Sequence, residues 1–130
     1  MWNARYANKR AFATVNNSGY FFGCIDNNKY LTHRIIWKML TGKDPVGIID
    51  HADRNPLNNK QGNLRPATKS QNNINRKNNA GVHYDKSRGN WQAYTKTNGK
   101  KVHLGRYASE AEARVARING VRELFGDFAP

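Results

Sequence analysis

The sequence predicts an α+β protein made of two small modules in succession, residues 1–79 and residues 80–130. In the first module, short β-branched segments alternate with turn residues and end in a short helical segment. In the second, strands of alternating polarity around an Asn-Gly turn precede an amphipathic helix. Between them, Asn75–Ala80 is polar and aperiodic, as expected of a domain boundary. The length of 130 residues suits one domain or two very small ones.

The composition indicates an anionic partner. The net charge is +13 and the sequence pI is about 10.2, which favours nucleic acid over a membrane because no long apolar run carries the charge. The single cysteine, Cys24, excludes an intrachain disulfide and a thiolate zinc site, and its apolar surroundings predict burial. The first residues do not have the pattern of a signal peptide, so we expect the protein to act in a reducing cytoplasm.

The first module begins with a predicted hairpin and helix. Two β-rich segments, Gly19–Ile25 and Lys29–Leu31, flank the turn residues Asp-Asn-Asn. Thr32 is then expected to N-cap a helix that runs through Leu40 and ends at Gly42. The helix carries an apolar stripe of Ile35, Ile36, Met39 and Leu40. His33, at its start, is expected to be exposed and not to bind a ligand, since it has no evident partner.

The central stretch predicts a strand, a long loop, a second strand and a helix. Val46–Asp50 is the first strand, and about a dozen loop-forming residues follow it. Leu64 begins the second strand, and Thr68 can N-cap a helix that extends to about Asn75. This order would bring the end of the first strand beside the new helix.

Three side chains of this stretch could then meet, and their chemistry suits phosphodiester hydrolysis. Asp50 offers a carboxylate and Asn72 an amide oxygen, which are hard ligands for a cation such as Mg²⁺. His51 offers an imidazole, whose neutral form can take a proton from water. A cation would polarise the phosphate while this base generates hydroxide.

The spacing of these residues resembles that of the HNH endonucleases, especially the phage and intron-associated branch in which Asn replaces the third His. Asp50-His51, Asn63 in Asn-Leu-Arg, and Asn72 carry the resemblance. It implies a ββα-metal fold and one divalent ion, Mg²⁺ or Mn²⁺. His51 would be the general base, Asn63 the second catalytic residue, which braces the loop, and Asp50 and Asn72 the metal ligands. The zinc-binding Cys pairs of other branches are absent.

The sequence leaves two interpretations open for several residues near this motif. Arg65 and Lys69 could each hold a DNA phosphate or be ordinary surface charge. Asn73 could neighbour the metal ligand or lie on the helix surface. Asp53 and Asn55 are expected to form turns in the loop.

The second module predicts a three-stranded antiparallel sheet covered by a helix. The strands are expected at 81–84, 90–96 and 101–106, with Asn98-Gly99 as the second turn. Ser109 and Glu112 form a capping box at the start of the helix. One face of the helix is expected to cover the apolar side of the sheet, where Trp91 and Leu104 lie. That face consists of Ala111, Val115, Ile118, Val121 and Phe125.

The opposite face of the sheet is expected to be exposed, polar and basic. Its residues are His83, Gln92, Tyr94, Lys96, Lys101 and His103. Such a face fits the major groove of DNA, although a plain solvated face is the alternative. Gly81-Val82, Trp91 and the segment 103–107, followed by Ser-Glu-Ala-Glu-Ala, resemble the Apetala-two (ethylene-response-factor) domain, which inserts its sheet into the major groove. The resemblance assigns DNA contacts to His83, Tyr94, Lys96, Lys101 and His103.

These features together predict a metal-dependent endonuclease that cuts double-stranded DNA, of the phage or mobile-element homing type and acting in a bacterial host cell. The alternative is a catalytically inactive, sequence-specific DNA-binding regulator, and RNA binding has only the charge in its favour. Both a monomer and a homodimer are compatible with the sequence.

Overall fold

The computed structural model describes residues 9–76 and 81–129. The chain forms two compact units, Met1–Arg65 and Pro66–Pro130. The module boundary expected between residues 79 and 80 lies outside the described residues. Both units combine short helices with small sheets, which confirms the mixed α and β class. Within the described part of the chain, no helix has the length and apolar character needed to cross a membrane.

A three-stranded antiparallel sheet opens the first unit. Its strands are β1 (Thr14–Val15), β2 (Phe21–Ile25) and β3 (Asn28–Leu31), in that spatial order. Asp26 and Asn27 both have positive φ values, 47° and 64°, as a tight two-residue turn requires. The predicted hairpin is therefore confirmed.

The predicted N-cap of helix α1 (Thr32–Thr41) is wrong. Leu31 occupies the cap position without a side-chain bond, and Thr32 is the first helical residue. The Thr32 hydroxyl donates to the carbonyl of Phe12 at 3.0 Å, so it fastens a distant segment of the unit and does not cap the helix. The predicted end is confirmed: Gly42 has a φ of 70° and donates its N–H to Lys38 O at 2.8 Å.

Two predictions of burial in the first unit are also wrong. Cys24 is exposed, because the outer end of the β2–β3 hairpin extends into solvent. In the stripe of α1, Met39 and Leu40 are exposed, while Ile35 and Ile36 are half-buried. The start of α1 therefore packs against the unit more closely than its end.

The predicted strand, loop and strand are confirmed. Strand β4 (Ile48–His51) pairs with β5 (Leu64–Ala67) in a two-stranded sheet. A 3₁₀ turn, Gln61–Asn63, ends the intervening loop. Asp50 and His51 thus stand at the end of β4, where the loop begins.

The second unit contains the short helix α2 (Lys69–Ile74). Thr68 caps it as predicted, accepting a bond from the Gln71 backbone while the Gln71 side chain accepts one from the Thr68 backbone. Ile74, in its last turn, is fully buried.

The antiparallel sheet of the second unit is confirmed. Its strands are β6 (Val82–Asp85), β7 (Asn90–Thr97) and β8 (Lys100–Tyr107), in that order. Asn98 and Gly99 have φ values of 50° and 77°, as the predicted turn requires. The register shifts between Ala93 and Tyr94, because Leu104 on β8 is an extra residue without a partner on β7.

The Ser109–Glu112 capping box of helix α3 (Glu110–Phe125) is confirmed, but its predicted packing face is correct only in part. Val121 is buried as predicted, whereas Val115 and Ile118 are 58% and 46% exposed. The other residues that face the sheet are Ala113, Arg117 and Gly120. Leu104 lies within 2.7 Å of where a Cβ on Gly120 would stand, so the small residues let the helix approach the sheet closely. A 3₁₀ turn, Gly126–Phe128, follows.

Candidate active site

Asn63 holds together the loop that follows β4. Its buried side chain donates to Asp53 Oδ1 at 2.9 Å and to the carbonyl of Asn58 at 2.7 Å, and it accepts from the Asp53 backbone at 2.9 Å. The Asn63 carbonyl also accepts from the Ala52 N–H at 2.9 Å. One side chain therefore joins the beginning of the loop to its end.

Asp53 and Asn55 form turns in this loop, as predicted. Asp53 Oδ1 accepts from the Asn55 N–H at 2.8 Å, and Asn55 Oδ1 accepts from the Leu57 N–H at 3.1 Å. The hydrogen bond from Asn58 is the largest effect on Asp53 and lowers the pKa of its carboxyl. Asp53 is therefore a charged acceptor that organises the loop.

His51 lies at the end of β4 and is 5% exposed. Its Nε2 is 2.9 Å from Oδ1 of the buried Asn59. Because an amide oxygen only accepts hydrogen bonds, Nε2 carries the proton in this arrangement. The proton-accepting nitrogen of the neutral ring is then Nδ1, so the amide of Asn59 fixes the tautomer of His51.

His33 is buried beside His51, so the expectation of an exposed histidine is wrong. It is 5% exposed, and its ring lies edge-on to the ring of His51 at 5.1 Å between centroids. Tyr20 packs on both rings, at 5.4 Å and 5.9 Å. Burial, followed by the charges of His51 and Arg34, lowers the pKa of His33 to about 4. His33 is therefore neutral at neutral pH and adds no positive charge beside His51.

Asp50 is buried next to His51 and forms an ion pair with Arg65. Arg65 Nε lies 3.1 Å from Asp50 Oδ2, and both side chains are largely shielded from solvent. Arg65, which the sequence offered as a phosphate contact, is thus oriented by the carboxylate at the centre of the motif.

The side chains of this region that could bind a metal ion offer oxygen atoms, which hard cations prefer as ligands. Asp50 supplies a buried carboxylate, and an ion such as Mg²⁺ takes one or two protein ligands while water and phosphate complete its shell. Residues 9–76 and 81–129 hold no cluster of three or more His, Cys, Asp or Glu side chains arranged for a metal. Asn72 lies on α2 in the second unit, where it is half-buried. That Asp50 and Asn72 share one cation stays a prediction.

The sheet of the second unit presents most of the expected DNA-contacting residues together. The ring of His83 meets that of Tyr94 edge-on at 5.5 Å, and Lys101 Nζ lies 4.1 Å above the Tyr94 ring. His103 is paired across the strands with Tyr94 and is exposed. Lys96 is exposed on β7, and Lys69 is exposed on α2. A role of these residues in DNA binding stays a prediction.

Gln92 is not exposed, contrary to the sequence prediction. It is buried, and its Nε2 donates to Asp85 Oδ2 at 2.7 Å while its Oε1 lies 3.3 Å from His103 Nε2. Because Gln92 pairs with His83 and alternates with Tyr94 along β7, it lies on the predicted face, where its polar atoms contact neighbouring side chains.

The structure adds residues to the site that sequence reasoning missed. Asn59 is one of several asparagines in the loop, and nothing in the local pattern distinguishes it from its neighbours. His33 and Tyr20 carry no motif signal, and only packing brings their rings to His51.

Comparison with known proteins gives matches to the same segment of the sequence. Residues 30–74 match the family model described as HNH endonuclease. An uncharacterized HNH endonuclease of Acanthamoeba polyphaga mimivirus is 37% identical over 109 residues, which cover 80% of this chain and 58% of that protein. The chain thus spans little more than half the length of this relative. No solved structure matches the chain significantly. The segment that contains Asp50, His51 and Asn63 is therefore similar in sequence to the HNH endonucleases, a class of nuclease hydrolases.

Proposed function

We propose that this protein is a metal-dependent endonuclease that hydrolyses phosphodiester bonds of double-stranded DNA. The observation that carries the proposal is the buried His51, which Asn59 holds in a defined tautomer next to Asp50 inside the HNH endonuclease match. A buried imidazole with a fixed accepting nitrogen is suited to general base catalysis.

In the proposed mechanism, His51 Nδ1 takes a proton from the attacking water. Asn59 keeps the ring oriented during the transfer and stabilises its protonated form, since Nε2 continues to donate to the amide oxygen. Asn63 acts as a positioning residue: it contacts Asp53 and Asn58 and holds the loop that begins immediately after His51.

Asp50 and Asn72 would hold one divalent cation, Mg²⁺ or Mn²⁺, in a ββα-metal arrangement. When bound, the cation polarises the scissile phosphate and stabilises the leaving oxygen. Arg65 neutralises part of the Asp50 charge, so a cation held by Asp50 would need a further anionic ligand, which a DNA phosphate could supply. The products would carry 5′-phosphate and 3′-hydroxyl ends, as in the family that the motif resembles.

The second unit would bind the DNA through a sheet like that of the Apetala-two domain. Its face presents His83, Tyr94, Lys96, Lys101 and His103, and the net charge of +13 favours a polyanion. The proposal includes a phage or mobile-element role such as homing, which rests on the resemblance of the motif. Because the described residues of one chain carry one such site, cutting both strands would require a homodimer or two binding events.

Substitution of the proposed base provides the decisive test. We expect His51→Ala to lower the cleavage rate roughly 10²- to 10⁴-fold while leaving DNA affinity unchanged, because the base acts only in the chemical step. Nicked and linear plasmid would be quantified with Mg²⁺ or Mn²⁺ present and with EDTA as the metal-free control. His83→Ala is the matched histidine variant, and it should weaken binding but retain the rate at saturating protein.

Undiminished cutting by purified His51→Ala protein would refute the proposal. Wild-type protein that shifts DNA in a gel with either metal but never nicks it would favour the alternative function, a catalytically inactive sequence-specific regulator.

A further inference from the structure

A groove of about 840 Å³ opens in the second unit between helix α2 and the β7–β8 turn. Its walls include Lys69, Ser70 and Arg76 on one side and Tyr94, Lys96 and Asn98 on the other. The Asn98 N–H donates to Ser70 Oγ at 2.8 Å, which connects the two walls at one end. The groove is therefore a formed feature of this unit.

The charge of the groove has one sign. Lys69, Arg76 and Lys96 are all exposed along it. None of its described lining residues is Asp or Glu. Three cations facing one cleft without a counter-charge create a positive potential that attracts a polyanion.

Polar atoms of two buried residues at the groove lack hydrogen-bond partners within the described residues. Thr95 lines the groove and is 2% exposed, and its Oγ1 has no partner there. Arg117 is 7% exposed, and neither its Nε nor its Nη2 has such a partner. A Cβ on Gly81, which lines the groove, would overlap the Arg117 side chain, so this buried guanidinium lies immediately behind a lining residue.

We propose that this groove binds the sugar-phosphate backbone of one strand of the duplex that the protein cuts. Phosphates in the groove would pair with Lys69, Arg76 and Lys96 and would offset the charge of the buried Arg117. Tyr94 contributes both to the groove and to the basic sheet face, where it contacts His83 and Lys101. The sheet would therefore read base edges while the groove fixes its register on the backbone.

The proposal rests on the proposed function for its duplex DNA ligand and is tested by binding. The probe is a fluorescein-labelled duplex of about 25 base pairs, and its affinity for the full chain is measured by anisotropy from 50 to 200 mM NaCl. The groove variant is Lys69→Ala/Lys96→Ala. The control is Lys86→Ala/Arg122→Ala, which removes the same two charges from exposed positions of the same unit that do not line the groove.

We expect the groove variant to bind roughly ten-fold or more weakly at 0.1 M salt, with the slope of log affinity against log salt reduced by roughly 2. The loss should be the same for duplexes of different sequence, because phosphate contacts carry no base preference. The control should retain the affinity and slope of the wild type. Equal losses in both variants, or no loss in the groove variant, would overturn the proposal.

Competition with unlabelled RNA duplex separates the two nucleic acids. DNA should displace the probe at lower concentration than RNA of the same sequence, and the reverse order would overturn the assignment to DNA.

Plasmid cleavage assays, read together with the binding data, distinguish a failure of the groove proposal from a failure of the nuclease proposal. If the wild-type protein cuts plasmid DNA and the groove variant binds DNA normally, only the groove proposal is refuted. If DNA binding depends on the groove residues but the wild-type protein does not cut, only the nuclease proposal is refuted.

Discussion

The two units bury polar side chains in different ways. In the first, Asp50, His51 and Asn63 are buried with partners at hand: Arg65 for the carboxylate, Asn59 for the imidazole, and the loop itself for the amide. In the second, Arg117 is buried with two nitrogens that have no partner in the described part of the chain.

The difference fits the two proposed tasks. Hydrogen bonds fix the geometry of the first site before any ligand arrives, as the proposed general base catalysis would require. A buried cation with unsatisfied nitrogens destabilises the folded protein, and an approaching anion would relieve that cost, as the proposed binding of a polyanion would require.

Asn63→Ala should have the largest effect on stability. It removes three side-chain hydrogen bonds and leaves polar groups of Asp53 and Asn58 without those partners, so we expect a loss of roughly 4 kcal/mol in the free energy of unfolding. Urea denaturation measures this loss. The exposed Asn119→Ala is the matched control and should change stability by less than about 0.5 kcal/mol. Similar midpoints for the two variants would contradict the bracing role of Asn63.

Acid should destabilise the first unit through His33. Its pKa is about 4 in the folded protein against 6.5 ordinarily, so the unfolded chain binds the proton more readily between these values. The contribution of neutral, buried His33 to the free energy of unfolding is fully present above pH 6.5. It is lost as the pH falls toward 4, by roughly 3 kcal/mol. Unfolding free energies across this range should decline in the wild type.

The control for this prediction is His33→Phe, which keeps a ring beside His51 and Tyr20 but cannot take a proton. Its stability should decline less over the same interval. Parallel pH profiles for the variant and the wild type would assign the acid sensitivity to other groups, such as Asp53, whose lowered pKa acts at more acidic pH.

Arg117→Met should have the smallest effect on stability and the opposite sign. Replacing a buried cation, two of whose nitrogens have no partner among the described residues, by an apolar chain of similar size should raise the free energy of unfolding by about 1 to 3 kcal/mol without DNA, and should weaken DNA binding. Thermal unfolding and anisotropy measure the two effects. Arg122→Met, at an exposed position on the same helix, should change neither. A variant that is less stable and binds DNA normally would show that Arg117 is structural.

Local signals in the sequence predicted much of the fold. The turns at Asp26-Asn27 and Asn98-Gly99 and the capping residues Thr68 and Ser109 all lie where their chemistry placed them. These features depend on a few adjacent residues whose backbone preferences and side-chain hydrogen bonds act locally. The motif of Asp50, His51 and Asn63 was equally visible, because it depends on residue type and spacing.

Packing decided the features that the sequence concealed. The face of α3 against the sheet is set by Ala113 and Gly120, whose small size permits close approach, and not by the larger apolar residues Val115 and Ile118. Likewise, Thr32 donates to Phe12, twenty positions away, where a local rule predicts a cap. Steric fit between distant segments overrides local preference in each case.

The sequence by itself determined the order of strands and helices from β2 to α3, though not strand β1, together with the basic character of the chain and the segment that matches the HNH endonuclease model. Only the tertiary structure decided that His33 and Tyr20 surround His51, that Asn59 sets its tautomer, and that Arg117 lies behind a residue that lines a cationic groove. The physical reason is that backbone preferences act over a few residues, whereas burial, ring contacts and hydrogen bonds to buried groups depend on which distant segments the fold brings together.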